Sequence, residues 1–179
     1  MPTKRPLTVL MDGRSGAGKT TLADELASLM AEVTGRAPQV VHMDDLYRGW
    51  GGMEAGQEIL ASQVLAREGA GFEPWDWNAG SAGARVPVDA SGDLIVEGCG
   101  AVCEQAVQAA WIRSGARVCT VWVEAPVQLR KQRALARDPE FAEFWDFWAG
   151  QEDKHLATMP ETDVVVEVTD TGHGGWDQP

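Results

Sequence analysis

One glycine-rich segment restricts the folds open to this chain more than any other feature of its sequence. Residues 13–20 read GRSGAGKT and match the pattern G-x-x-x-x-G-K-[ST]. An apolar run at 7–11 precedes the segment and predicts a buried strand, and apolar residues at helical spacing follow it as far as Gly35. A loop between a strand and a helix N-terminus can turn several backbone N–H groups towards a phosphate. The segment therefore predicts a phosphate-binding loop.

The residue types of this loop indicate which ligand it binds. Lys19 can bridge the terminal phosphates of a nucleoside triphosphate, and the Thr20 hydroxyl can bind Mg²⁺. We therefore expect ATP and Mg²⁺ as cofactors. A flexible glycine loop in front of an ordinary helix is the alternative interpretation. The candidate nucleotide-binding residues here are Gly13, Ser15, Gly16, Ala17, Gly18, Lys19, Thr20 and Thr21.

Strand and helix signals alternate along the rest of the chain. Short apolar runs predict strands at 7–11, 39–43, 94–96, 117–123 and 164–168. Helical patterns predict further helices at 59–67, 101–112, 126–137 and 139–159. Continuously apolar strands are typical of a parallel sheet that is covered on both faces. The predicted fold class is α/β, a P-loop NTPase three-layer αβα sandwich with a five-stranded, mostly parallel sheet and a helical arginine lid.

We expect a single domain over residues 1–179. A glycine- and tryptophan-rich region predicts an irregular acceptor-site lobe at about 48–92. The lid is expected at about 126–140. A loose tail is expected at about 169–179, where glycine, histidine and proline occur together.

Acidic residues follow the predicted strands at their carboxyl ends, where ligands bind in parallel sheets. Asp44 can face the transferred phosphate and take or orient the proton of an attacking hydroxyl. Helix capping or a solvated loop charge is the alternative for Asp44 and Asp45. Glu97 can bind Mg²⁺ directly or through water. Glu124 is its rival, but Gly98 after Glu97 leaves room for a ligand.

Three arginines share one face of the predicted helix at 126–137. Arg130, Arg133 and Arg137 are spaced three and four residues apart. Such a stripe is unusual in a chain whose formal net charge is −12. Paired surface charge is one interpretation, and a lid that clamps phosphates is the other. As a lid, Arg130 and Arg133 act catalytically with Lys19 and Asp44, and Arg137 binds the nucleotide.

The composition also limits the expected partners. A net charge of −12 repels phosphate backbones, so nucleic acid is not expected. No stretch approaches a membrane span and no signal peptide is visible, so we expect a cytoplasmic protein without a membrane partner. An odd number of cysteines fits a reducing compartment. Cys99 and Cys103 are close enough in sequence to share a metal, but no third or fourth ligand accompanies them. The alternative is that both are small buried residues.

Among P-loop proteins, the remaining motifs favour a small-molecule kinase. No N-K-x-D segment supports a GTPase, and a motor or AAA-type ATPase usually needs a longer chain. A kinase needs a base near the acceptor hydroxyl, a carboxylate that organises Mg²⁺, and mobile arginines. Each of these has a candidate in the chain.

The motifs DGRSGAGKTT, MDDLY, WDW at 75–77, IVEG at 95–98 and LRKQRALARD occur in this order. In that order they resemble the uridine kinase branch of the P-loop nucleoside kinases, near phosphoribulokinase and bacterial pantothenate kinase. The resemblance implies that Asp44 is the base and that Thr20 and Glu97 organise Mg²⁺. It also implies triphosphate contacts from Lys19 and the lid arginines. It also implies that Tyr47 and Trp75 lie in the acceptor pocket. The full set of candidate acceptor-binding residues is Asp45, Tyr47, Trp50, Trp75 and Asp76.

The chain departs from the uridine kinase pattern at residues 50–53, WGGM. Uridine kinases carry an Asp-His-Pro segment after the aspartate motif, and its acid holds the ribose. Here that region has no acid, although Glu54 is near. We expect an ATP-dependent kinase that phosphorylates a hydroxyl of a nucleoside-like small molecule. Assembly into a homo-oligomer is compatible with this function. The alternatives are a nucleotide-binding regulatory module with little turnover, or a nucleoside monophosphate kinase in which Arg48 and Arg85 serve a second phosphate.

Overall fold

The structure, a computed structural model, describes residues 5–169. Strands and helices alternate along most of this range. The strands are β1 (Thr8–Asp12), β2 (Gln39–His42), β3 (Gly71–Phe72), β4 (Trp75–Asp76), β5 (Ser81–Ala82), β6 (Val86–Pro87), β7 (Leu94–Glu97), β8 (Val118–Glu124) and β9 (Val164–Glu167). The helices are α1 (Lys19–Thr34), α2 (Met53–Ile59), α3 (Glu104–Ser114), α4 (Val127–Arg137) and α5 (Trp145–Leu156).

A five-stranded sheet in the order β2-β7-β1-β8-β9 forms the centre of the fold. Every neighbouring pair in it is parallel, and Thr8 on β1 lies opposite both Leu94 and Val118. The predicted fold class is therefore confirmed. Because the strands are parallel and nearly in register, their carboxyl ends meet at one edge of the sheet. His42 lies opposite Glu97 there, next to the start of the glycine-rich loop.

Two hydrophobic cores cover the two faces of the sheet. Val9 and Met11 on β1 pack with Ala23 of α1, while Leu10 between them packs on the opposite face. That second face is covered by α2, α3 and α5, which contribute residues such as Trp148. Successive side chains of a strand point to opposite faces, so a strand with a core on both sides must be continuously apolar. The three-layer arrangement follows from this pattern.

Two of the predicted helices begin elsewhere in the structure. The helix predicted at 59–67 begins at Met53, and its second half, Leu60–Val64, is a π-helix. The helix predicted at 101–112 begins at Glu104 because backbone N–H groups in the preceding loop donate to Asp12 instead of continuing a helix. These boundaries depend on tertiary contacts and on main-chain detail that the apolar spacing does not report.

The helix predicted at 139–159 is interrupted. A 3-10 helix, Pro139–Glu143, begins at the Asp138 cap and is followed at Trp145 by α5. Side chains three residues apart eclipse each other in a 3-10 helix. Phe141 and Phe144 are three apart, and both stack on Trp50. The tighter turn thus brings both phenylalanine rings onto one partner.

The region predicted as an irregular lobe contains only short strands. β3 pairs with β6 and β4 pairs with β5, both antiparallel, as two small two-stranded sheets. The limits of the lobe at 48–92 and of the lid at 126–140 stay predictions. Of the tail predicted at 169–179, all residues but Thr169 lie outside the described range. Within residues 5–169, no helix is long and apolar enough to cross a membrane.

Candidate active site

The glycine-rich loop passes directly beneath the first turn of α4. Gly16 has a φ of +79°, and a Cβ built on it would lie 2.0 Å from the carbonyl oxygen of Arg130. Gly18, with a φ of +101°, precedes the first turn of α1. A side chain at Gly16 would both strain the backbone and collide with α4. The close approach between the loop and α4 therefore requires glycine.

A cavity of about 410 Å³ opens between the loop, the start of α1 and α4. Its floor contains the first turn of α1, whose N–H groups have no partner four residues upstream. Arg133 and Arg137 border the cavity from the α4 side. The residues around it are Gly16, Gly18, Lys19, Thr20, Thr21, Arg133, Ala134 and Arg137. Of the remaining predicted loop residues, Gly13 and Ala17 are buried and Ser15 is half-buried outside this lining.

Lys19 is buried in the loop and folds back on it. Its Nζ donates hydrogen bonds to the carbonyl oxygens of Gly13, at 2.7 Å, and Arg14, at 3.1 Å. Burial disfavours the charged amine, but the carboxylates around it, those of Asp12, Glu97 and Asp44, raise the pKa of Lys19 above its ordinary value. The ammonium therefore stays charged at the floor of the cavity.

The three arginines of α4 have different surroundings. Arg133 and Arg137 are exposed at the cavity. Arg130 is buried: its Nε donates to the carbonyl oxygen of Ala125 and its Nη1 to that of Ser15, at 3.1 and 3.3 Å. Its guanidinium also lies 5.9 Å from the ring centroid of Trp145. Arg130 thus fastens α4 to the loop and does not line the cavity.

Asp44 lies in the 3-10 turn Met43–Asp45, directly after β2. It keeps solvent contact, but protein atoms surround its carboxyl group closely, and this burial is the main reason that its pKa is raised. Lys19 and Arg137 act in the opposite direction and Glu97 adds to the rise. The charges of Lys19 and of Arg137 on α4 therefore both act on the Asp44 carboxylate. The pKa of Asp45 next to it is also raised, mainly by burial.

Glu97 forms a small polar cluster at the end of β7. Its Oε1 accepts a hydrogen bond from the Thr20 hydroxyl at 3.1 Å and lies 2.6 Å from Nδ1 of His42. The hydrogen bond with Glu97 is the main cause that raises the pKa of His42. The rival Glu124 is exposed and bound to its own neighbours, the Trp122 indole and the Ala125 N–H. The structure thus joins Thr20 to Glu97 and not to Glu124.

The cluster of Thr20, His42 and Glu97 suits a metal ion whose ligands are mainly waters and substrate phosphates. Within residues 5–169, no three His, Cys, Asp or Glu side chains are placed to hold a metal by themselves. Mg²⁺ keeps several waters and is commonly bound through one or two protein oxygens plus substrate phosphates. One hydroxyl and one carboxylate beside a phosphate-binding cavity fit that requirement. Cys99 and Cys103 are buried thiols, and burial raises the pKa of Cys99 to about 12.

Tyr47 does not lie on an open surface. Its side chain is 1% exposed, its hydroxyl donates to the Cys99 carbonyl at 2.6 Å, and its ring packs edge-on against Trp148. Burial raises the pKa of this phenol well above its ordinary value. The implied place of Tyr47 in the acceptor pocket is therefore corrected: inside the core, its hydroxyl is hydrogen-bonded and its ring is packed.

Trp50 is the centre of an aromatic cluster. It stacks on Phe144 and Phe141, with ring centroids 4.4 and 5.2 Å apart, and contacts Trp77 and Trp148. Two other candidate acceptor residues, Trp75 and Asp76, make local contacts. The guanidinium of Arg48 lies over the ring of Trp75, and Asp76 accepts hydrogen bonds from the N–H groups of residues 78 and 79.

A second cavity, of about 1000 Å³, lies between α2, the start of α3 and α5. It shares no lining residue with the first cavity. Glu54, the acid near the departure from the uridine kinase pattern, borders it together with Glu58, Glu104 and Lys154. Glu54 thus faces this second cavity.

Two buried acids were not recognised as site residues from the sequence. Asp12, at the end of β1, accepts hydrogen bonds from the N–H groups of Gly13, Gly100 and Val102 and contacts His155. Glu152, on α5, accepts a hydrogen bond from the Ser15 N–H. A signal for Glu152 existed: it lies four residues after Trp148 and seven after Trp145, within the apolar stripe of its helix. An acid in such a stripe indicates a buried partner.

Comparison with known proteins identifies the fold and no closer family. No family model matches the sequence, and no curated protein matches it. A proposed fructose transport system kinase from Silicibacter sp. TM1040 is 18% identical with a TM-score of 0.60, over 93% of this chain and 91% of that one. The APS kinase of Mycobacterium tuberculosis, in complex with AMPPNP and APS, is 16% identical with a TM-score of 0.52, over 91% and 88%.

A third similar structure is an unliganded sugar kinase from Janibacter sp. HTCC2649. It is 18% identical with a TM-score of 0.50, over 91% of this chain and 84% of that one. At such identities the likeness concerns the fold. The chain has the α/β fold that these three kinases share, with the glycine-rich loop at the carboxyl end of its central strand.

Proposed function

We propose that this protein is an ATP-dependent kinase that transfers the γ-phosphate to a hydroxyl group of a small molecule. One observation carries the proposal: a single cavity is bordered by the loop N–H groups, by Lys19 and by two arginines of α4, and the carboxylate of Asp44 lies within their field. Cationic groups stabilise a phosphoryl group in transfer, and a carboxylate activates the acceptor. The arrangement supplies both.

The donor phosphates are bound by the loop and by α4. The N–H groups at the start of α1 present partial positive charge, and Lys19 adds a full charge. Arg133 and Arg137 reach the same cavity from the opposite side, where they neutralise charge that develops on the phosphoryl oxygens. Arg130 contributes by holding α4 against the loop at Ser15. The APS kinase solved with AMPPNP and APS agrees with a nucleotide donor and a small acceptor.

Thr20 and Glu97 would hold Mg²⁺ through the Thr20 hydroxyl and the Glu97 carboxylate. Bound Mg²⁺ neutralises charge on the β- and γ-phosphates. His42 keeps the Glu97 carboxylate oriented from the β2 side, since its Nδ1 lies 2.6 Å from Glu97 Oε1.

Asp44 is the proposed base. Its raised pKa makes the Asp44 carboxylate a stronger base than an ordinary aspartate. Trp77 Nε1 donates to the main-chain carbonyl of Asp44 at 3.1 Å, which fixes the turn from the acceptor side. Asp44 therefore takes or orients the proton of the acceptor hydroxyl as the phosphoryl group is transferred.

A nucleoside-like acceptor is the finer proposal. Trp50, Trp75 and Trp77 lie on the acceptor side next to Asp44, and flat indole faces can stack on a base or pack on a sugar. Asp45 is half-buried in the same turn and has a raised pKa. We propose that Asp45 and Asp76 bind acceptor hydroxyl groups when the Trp50 cluster opens.

The test combines an acceptor screen with a single substitution. ADP release from Mg²⁺-ATP is measured against nucleosides, sugars and vitamins, and acceptor-dependent stimulation is expected. Asp44→Asn should then lower kcat by about 10²- to 10⁴-fold, because a base is lost, while the affinity for AMPPNP is kept. Asp24→Asn, an exposed acid on α1, is the matched control and should behave as wild type.

Two results would contradict the proposal. Full acceptor-stimulated turnover in Asp44→Asn would remove Asp44 from the role of base. Tight AMPPNP binding without stimulation by any acceptor would favour a regulatory module. The burial of Tyr47 and the self-packing of Trp50 support that second candidate, because both rings are engaged within the protein.

A further inference from the structure

The main chain on both sides of Ser15 is held by hydrogen bonds from two helices. Its N–H donates to Oε1 of Glu152 on α5 at 2.7 Å, and its carbonyl oxygen accepts from Nη1 of Arg130 on α4 at 3.3 Å. Ser15 is the residue before Gly16, where the lining of the first cavity begins. The loop is therefore fixed immediately upstream of its ligand-facing part.

Most polar contacts of Glu152 are with the glycine-rich loop. Its side chain is buried, and Oε2 lies 3.5 Å from Nη1 of Arg14. Arg14 also pairs with Asp153, the next residue of α5. The remaining neighbour is the Cys99 thiol, whose Sγ lies 3.5 Å from Oε1. A buried carboxylate must be partnered, and here the partners are two consecutive loop residues.

The carboxylate acts from behind the loop. Neither Ser15 nor Glu152 borders the cavity, whose loop lining is Gly16 and residues 18–21. Glu152 thus does not occupy the place of a phosphate group. It binds the Ser15 N–H, directly upstream of the first lining residue, Gly16, and this bond restricts the direction of the peptide groups that follow.

We propose that Glu152 is a positioning residue of the phosphate loop. It holds residues 14–15 so that the following N–H groups converge on the cavity before any ligand is bound. Converging N–H dipoles repel one another, so a loop without such an anchor loses part of its binding energy to ordering. The inference rests on the nucleotide-binding part of the proposed function and is independent of the acceptor.

The experiment compares Glu152→Ala with Glu152→Gln. Alanine removes the acceptor of the Ser15 N–H, whereas glutamine keeps an oxygen for it and loses only the charge. Asp146→Asn, an exposed acid on the same helix, is the matched control. Two quantities are measured at a temperature at which all variants are folded: amide hydrogen exchange of residues 14–16 without ligand, and the affinity for Mg²⁺-AMPPNP by calorimetry.

Glu152→Ala should accelerate exchange at residues 14–16 and weaken AMPPNP binding, each about tenfold or more, because a hydrogen bond to a charged acceptor is lost. Glu152→Gln should recover most of both effects. A merely structural role would lower the melting temperature without this rescue of affinity.

Three results would overturn the inference. They are unchanged exchange and affinity in Glu152→Ala, an equal defect in the glutamine variant, or tighter AMPPNP binding in Glu152→Ala, as expected if the carboxylate competed with phosphate. The proposed function fails separately, if wild-type protein binds AMPPNP and no acceptor is phosphorylated. If wild-type protein binds no AMPPNP, the proposed function is wrong, and the exchange of residues 14–16 alone decides whether Glu152 fixes the loop.

Discussion

Replacing Asp12 by asparagine tests how the start of the phosphate loop is held. Asp12 is 1% exposed, and its two oxygens serve three backbone donors and one histidine. Oδ1 accepts the N–H groups of Gly13 at 2.7 Å and Gly100 at 3.0 Å. Oδ2 accepts the N–H of Val102 at 2.8 Å and lies 2.8 Å from Nε2 of His155. Asparagine preserves the shape of the side chain but replaces one acceptor oxygen with an NH₂ donor.

The size of the effect follows from these contacts. A neutral His155 can turn an unprotonated Nε2 towards the new NH₂ group, but its Nδ1 then carries the proton and the Gln57 amide must rotate to accept it. The Val102 N–H cannot adapt, and a buried donor without an acceptor costs about 1–3 kcal/mol. The bonds of Gly13 and Gly100 also weaken, since they lose a charged acceptor. We therefore expect Asp12→Asn to lower the free energy of unfolding by about 2–3 kcal/mol, or about 4–10 °C in Tm.

Urea denaturation at neutral pH, followed by circular dichroism, measures this difference, with the m-value checked for constancy. Asp146→Asn removes the same charge from an exposed position and should stay within about 0.5 kcal/mol of wild type. A loss of less than about 1 kcal/mol in Asp12→Asn would mean that the Val102 N–H finds another partner. Asp12 would then not be the acceptor that joins the glycine-rich loop, at Gly13, to the loop of residues 100–102.

Three further perturbations follow from the site. Since burial raises the pKa of Asp44, kcat/KM should rise with pH through a value above 3.8, and an acid limb at or below 3.8 would contradict its role as the base. Gly16→Ala should weaken AMPPNP binding at least about tenfold in calorimetry, because its Cβ would lie 2.0 Å from the Arg130 carbonyl; Gly150→Ala, with open space around it, should bind as wild type. Trp50→Ala should lower the free energy of unfolding by about 1–3 kcal/mol in urea, and an unchanged midpoint would show that its stacking contributes nothing.

The sheet and the phosphate loop could be predicted because both depend on local pattern. Continuous apolar runs identify strands with a core on each side, and all five predicted strands appear in the structure. The G-x-x-x-x-G-K-[ST] spacing combines glycines at positions of positive φ with the lysine that follows them. The pairing of Thr20 with Glu97 also follows from topology, since the carboxyl ends of adjacent parallel strands must lie side by side.

The burial of Tyr47 and the self-packing of Trp50 could not be predicted in this way. Whether an aromatic ring lines a pocket or fills the core depends on which distant residues reach it. The Tyr47 hydroxyl is hydrogen-bonded to the Cys99 carbonyl. Trp50 is stacked on Phe141 and Phe144, which follow it by about ninety residues in the chain. Helical spacing places those phenylalanines on one face of an element but does not say which side chain they meet.

The helix α5 shows why the contacts of single residues could not be predicted from the sequence. Gln151 donates to the Trp50 carbonyl at 2.7 Å and accepts from the Met53 N–H at 3.4 Å, so it fastens the acceptor-side segment. Glu152 fastens the phosphate loop, from a position 137 residues further along the chain than Ser15. His155 contacts Asp12 on one side and Gln57 of α2 on the other.

One turn of α5 therefore holds both the donor loop and the acceptor-side segment. If α5 shifts, the Ser15 peptide and the Trp50 carbonyl must move together, because each is bonded to an adjacent residue of the same rigid helix. If a ligand displaces Trp50 from Phe144 in the proposed kinase, we expect the displacement to reach the Ser15 N–H through Gln151 and Glu152, which are about 1.5 Å apart along the helix axis. By this route, acceptor binding in the proposed kinase is expected to change the donor site without contact between the two ligands.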